Sequence, residues 1–116
     1  MLVRIDPASD AALYDQVAAS LRAEIAAGRL AAGDRLPVAR EVAASLGINV
    51  HTVLKAYQNL REEGLVDMRR GRGVVVTAAA ASLALLADDI RALVARAAAL
   101  GLSPATLAAL VKETTV

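Results

Sequence analysis

The chain has 116 residues, 57% of them apolar but only 2% aromatic, with no cysteine, a single histidine and a net charge of +1. That length holds one compact domain and a small appendage, not two domains with separate large cores. The lack of cysteine removes disulfides, thiolate metal sites and cysteine nucleophiles together. The lone His51 leaves metal and triad chemistry poorly supplied, and charged residues interrupt every apolar run long enough to span a bilayer. No signal-peptide pattern opens the chain, so a reducing cytoplasm is the expected location. Two tyrosines without Phe or Trp imply an aliphatic core and no aromatic platform for single-stranded bases.

Glycine punctuates the helical part. Gly28, Gly47, Gly64 and Gly101 each follow an apolar-periodic stretch, where a residue without Cβ ends a helix at least cost. The first helix is expected from about Ala12 to Ala27, with Leu13, Val17, Leu21 and Ile25 as one buried stripe and either Ser9 or Asp10 as its cap. The segment RLAAGDRLP reads as an extended loop, and Pro37 sets the start of a second helix at about Val38, running to Leu46. Gly47 makes the turn into a third helix, about Val50 to Glu63, capped by Asn49. Val53, Ala56, Tyr57 and Leu60 share its inner side, which leaves His51, Thr52, Lys55 and Asn59 for solvent or a ligand.

Past Gly64, Val66 to Arg70 and Gly73 to Thr77 pair as a hairpin turning at Gly71, with Arg70 and Arg72 at its tip. Strands this short need helices beneath them. From Ala80 to Leu100 a longer helix is predicted, in which Leu83, Leu86, Ile90, Leu93, Ala97 and Leu100 are spaced by alternating threes and fours. Ser103 and Pro104 then start a short fifth helix carrying Leu107, Leu110 and Val111.

Two helices across a glycine turn followed by an arginine-tipped hairpin is the layout of a winged helix-turn-helix, so the expected fold is mainly α with a small β-wing. In that layout the third helix presents Asn49, Val50, His51, Thr52 and Lys55 to a major groove, and its first backbone N–H groups attract phosphate. Any such set taken alone is more often a solvated helix face; the turn before it and the wing after it reverse those odds. Arg40, early on the second helix, is placed to reach the DNA backbone, and Arg70, Gly71, Arg72 and Gly73 can lay the wing along or into a minor groove. Tyr14 and Tyr57 are assigned to packing, and Asp88 and Asp89 to a solvated pair rather than metal ligands. No nucleophile, base and orienting group assemble into a catalytic site, and no cofactor is expected.

The stretch from Tyr14 to Thr77 resembles the GntR family of bacterial winged-helix regulators, carried by LYDQV, GRL, GDRLP, AREVA, LGIN, HTVLKAYQNLREEGLV and RRGRG in the family's order and spacing. The short tail makes the YtrA-like subgroup the best match. The resemblance assigns DNA contacts to Arg40, to Asn49, Val50, His51 and Thr52, and to Arg70 and Gly71, with Arg72 at the basic position that follows. It departs from the family pattern at Val38, where many members have serine, at Leu54, where many have arginine, and at Val50 and His51, which replace more usual polar or proline residues.

The resemblance further implies a homodimer on an inverted-repeat operator, repressing nearby genes that in this subgroup often include transporters. Residues 1–77 then form the DNA-binding domain and 78–116 a two-helix dimerisation tail, in which Leu83, Leu86, Ile90, Leu93, Leu100, Leu107 and Leu110 pair two subunits. A winged-helix module that recruits a protein partner through its tail helices is the alternative. The sequence gives no sign of a small-molecule effector.

Overall fold

The computed structural model describes residues 3–115. Its elements are α1 (Leu13–Ala26), α2 (Ala39–Leu46), α3 (Val50–Glu62), β1 (Val66–Arg69), β2 (Gly73–Val76), α4 (Ala80–Ala99) and α5 (Pro104–Glu113). The chain divides between Leu85 and Leu86 into two compact units, the first holding α1 to β2 and the start of α4.

The core of the first unit follows from the helical stripes. Val17, Leu21 and Ile25 of α1 and Val53, Ala56 and Leu60 of α3 recur every three or four residues and are almost fully buried against one another's helices and against Val42 and Ala43 of α2. Leu13 departs from the expected stripe: at the first residue of α1 it lies exposed. Neither Ser9 nor Asp10 caps α1. The helix starts one turn later than those residues require, with Ala12 as an N-cap that offers no side-chain bond. The Ser9 hydroxyl instead accepts from the Ala11 amide, and the Gln16 side chain ties the entering segment by accepting from Asp6 N and donating to Ala11 O.

Between α2 and α3, Gly47 sits at φ 68° and ψ 34°, the left-handed region that a residue without Cβ adopts freely. The Ile48 amide donates back to Ala43 O there, which closes the end of α2. Asn49 caps α3 as expected, its side-chain oxygen accepting from His51 N at 2.8 Å.

β1 and β2 pair antiparallel in the register Val66↔Val76 to Arg69↔Gly73. Val66 and Val76 face the core, which provides the support that so short a hairpin requires. The segment read as a plain loop adds a third, one-bridge strand: Arg35 bridges Val75, Gly33 N donates to Val76 O, Val76 N to Asp34 O and Leu36 N to Val74 O, each at 2.8 Å. Leu30 and Leu36 are buried at either end of this segment. Thr77 closes the hairpin onto the end of α3, its hydroxyl donating to Gly64 O and its amide to Leu65 O.

In the second unit, Ser103 caps α5 through Thr106 N with Pro104 at the first helical position, as predicted. Ala97 is buried and Leu107 half-buried, whereas Leu86, Ile90, Leu93, Leu100 and Leu110 are 46–68% exposed in the single chain. Asp88 pairs with Arg91 at i+3.

Candidate nucleic-acid interface

One groove of about 500 Å³ gathers residues from the segment before α2, from α2, from α3 and from the wing. Its basic members are Arg35, Arg40 and Arg72, and no acidic residue lines it. The three elements that the sequence assigned to DNA thus meet along one surface with one sign of charge, which raises the local concentration of a polyanion.

Of the predicted residues, Arg40, Val50 and Arg72 line this groove, and Asn49, His51, Thr52, Lys55, Arg70 and Gly71 lie outside its lining. Arg40 is exposed in the first turn of α2, and no side-chain hydrogen bond or ion pair engages it among the described residues. His51 is exposed at the second position of α3. Thr52 is half-buried with its hydroxyl unbonded among the described residues, and Val50 is half-buried and packed against the core, so only part of it faces the groove. Asn49 spends its side-chain oxygen on the helix cap, leaving its NH₂ as the free donor. The expected set of open N–H groups at the start of α3 is smaller than the sequence implied. His51 N is taken by Asn49 Oδ1 and Thr52 N donates to Asn49 O at 3.0 Å.

Lys55 stands on the solvent side of α3, but its Nζ lies 3.9 Å from the centroid of the Tyr14 ring. The ammonium is held over the aromatic face by a cation–π contact. Tyr57 is buried and its hydroxyl donates to Pro37 O at 2.6 Å, fastening the entrance of α2 to α3; burial pushes its pKa up to about 12.

At the wing tip, Arg72 N donates to Arg69 O and Gly71 has φ 77°, the pattern of a type II turn in which the third residue must accept a positive φ. Arg70 projects from this turn without a side-chain partner among the described residues. Arg72, in contrast, donates to Gly33 O at 3.3 Å, while Arg35 reaches Gly71 O at 3.5 Å. The loop and the wing therefore brace each other through exchanged guanidinium bonds. Arg35 is a groove residue that sequence reasoning missed, because its place depends on a pairing 40 residues along the chain that leaves no local pattern. Next to the tip, Asp67 is shared at 3.8 Å by Arg61 and Arg69, so those two arginines are partly neutralised.

A three-helix head with a glycine turn, a capped third helix and a braced two-stranded wing defines a winged helix-turn-helix DNA-binding domain. The chain belongs to the gntR family of bacterial regulatory proteins, whose profile matches residues 13–76. It is 36% identical over 76 residues to the HTH-type transcriptional repressor YtrA of Bacillus subtilis, an alignment that takes in 66% of this chain and 58% of that protein. Among solved structures it is similar to YtrA from Sulfolobus acidocaldarius, a GntR-family transcription factor, with a TM-score of 0.63, 35% identity and coverage of 85% of this chain and 99% of that one. It also resembles AraR(DBD) in complex with operator ORX1, with a TM-score of 0.56 and 26% identity over 64% of this chain and 92% of the other. No helix among the described residues is long and apolar enough to cross a membrane.

Proposed function

We propose that this chain is a cytoplasmic transcriptional repressor that binds an inverted-repeat operator as a homodimer, with α3 in the major groove, Arg40 on the flanking backbone and the wing tip gripping the edge of the site. The observation that carries this reading is the shared groove lined by α2, α3 and the wing, where Arg35 of the segment before α2, Arg40 of α2 and Arg72 of the wing meet no acid. The Bacillus subtilis relative YtrA is a transcriptional repressor by name, and the solved neighbour AraR(DBD) holds its operator. Transporter genes are the targets that the subgroup resemblance implies.

The roles divide by chemistry. His51, Thr52 and the Asn49 NH₂ sit where base edges are read, and Arg40 and Arg70 are free cations suited to phosphate. Pairing of two copies is supported by the apolar side chains left exposed among the described residues, Leu86, Ile90 and Leu93 on α4, Leu100 just past its end and Leu110 on α5. Two heads on a twofold axis reach half-sites about 34 Å apart, one helical turn.

Incubation with genomic fragments and sequencing of those retained identifies the operator. Log affinity plotted against log salt then reports the phosphates. Arg40 and Arg70 from two subunits give a slope of about −4, and recruitment of Lys55 and Arg72 away from Tyr14 and Gly33 steepens it to about −7. A slope near zero overturns the interface. Failure to retain any DNA, with the tail still capturing a partner protein, favours the recruitment module instead.

A further inference from the structure

The groove has a floor that its arginines do not explain. Val38 at the N-cap of α2, Leu54 on α3 and Met68 on β1 all line it, and they are 56%, 47% and 57% exposed. Leu54 lies one helical turn after Val50, on the wing side of α3, and Val74 stands across the hairpin from Met68. An apolar strip thus runs from α2 over α3 to the wing, with Arg40 at one end and Arg72 at the other. Surface leucine, valine and methionine are ordinary singly, but here they are contiguous and enclosed by cations.

We infer that this strip is a subsite for the C5-methyl groups of thymine, and that Leu54 is its specificity-determining residue. The inference rests on the DNA-binding reading above. The arginine rim selects a polyanion, and among the base edges exposed in the major groove only thymine carries an apolar group. Leu54 has no donor or acceptor, so it cannot hydrogen-bond guanine as arginine does; facing a C or G edge it would desolvate polar atoms without replacing their bonds. Facing a thymine methyl, it buries apolar surface on both partners. Opposite Leu54, each operator half-site therefore carries thymine.

The test begins with the operator retained from genomic DNA and replaces individual thymines by deoxyuridine, which removes the methyl and keeps every hydrogen bond. One or two positions per half-site are expected to lose affinity by about fourfold each, the value of burying one methyl-sized group. Leu54→Ala, an exposed substitution that leaves the core intact, is expected to bind thymine and uracil operators equally; Leu54→Arg shifts the preferred base at that position toward guanine. Equal binding of thymine and uracil operators by the unmodified protein overturns the subsite while leaving DNA binding in place. So does a Leu54→Ala loss that is the same on both operators, because Leu54 then serves only to pack the wing against α3. A protein that retains no DNA removes both readings.

Discussion

Tyr57 does two jobs with one ring. Its carbon face fills the core beside α2, and its hydroxyl holds Pro37 O, so the residue before the N-cap of α2 is pinned to α3. Tyr57→Phe is expected to cost about 1 kcal/mol by leaving that carbonyl without its donor. The raised pKa also fixes a direction. The folded state holds the phenol neutral up to about pH 12 while the unfolded chain releases the proton near 10, so this contribution is complete below about pH 10 and is lost as pH rises toward 12. Chemical denaturation of both proteins from pH 8 to 12 checks it: the wild type loses its advantage over Tyr57→Phe across that window, and parallel curves exclude the linkage. The packing role of Tyr57 was legible from its spacing with Val53 and Leu60. Its hydrogen bond was not, because the acceptor lies 20 residues earlier on a loop with no side-chain signature. Asn49 shows the converse: an Asx side chain bonds locally, two residues along, so the cap can be read directly from the sequence.

Among the elements, α2 stands out for what its start lacks. Val38 has the extended backbone of an N-cap, φ −58° and ψ 133°, but no side-chain acceptor for the first-turn amides. Val38→Ser supplies one without emptying the core, since Val38 is exposed, and is expected to stabilise the head by about 1 kcal/mol, roughly 4–8 °C in Tm. Calorimetry decides this; an unchanged Tm shows that the first turn is already satisfied by other means. Helix limits were legible to within a residue or two because glycine in the left-handed region is a local, chemically specific stop, as at Gly47. The cap of α1 was not, since Ser9 and Asp10 look like caps yet Ser9 is engaged within its own turn and Ala12 takes the N-cap position. Nor was the strand character of residues 33–36. Its bonds to β2 are between backbones, and a backbone ladder leaves a trace only when side chains alternate, which Gly33, Asp34, Arg35 and Leu36 do not.

At the scale of the whole molecule, the head has a closed core and the second unit does not. Ala87 and Ala97 are its only buried apolar residues among those described, and Leu86, Ile90, Leu93 and Leu110 of α4 and α5 are exposed. A helix pair of this kind would gain stability from the proposed pairing, in which a second copy covers those faces. Ile90→Glu places a charge where the proposed pairing surface is apolar, and is expected to reduce the particle mass in sedimentation to that of a monomer and to weaken operator binding by roughly tenfold or more. The head's own melting transition should be retained, and a variant that stays dimeric moves the interface elsewhere. The heptad-like spacing of Leu83, Leu86, Ile90 and Leu93 was visible from the sequence, but not that Leu83 packs on the head core while Leu86, Ile90 and Leu93 stay exposed.

The exchanged bonds between the loop and the wing have a mechanical consequence. Arg35 holds Gly71 O, Arg72 holds Gly33 O, and three backbone bonds run between residues 33–36 and β2. Leu36 is followed by Pro37, whose carbonyl is gripped by Tyr57. A pull on Arg70 is therefore not absorbed by a pliant hairpin. It travels along a continuous load path through the loop into α3, which makes the wing a stiff lever and, in the proposed complex, would tie its grip to the seating of α3.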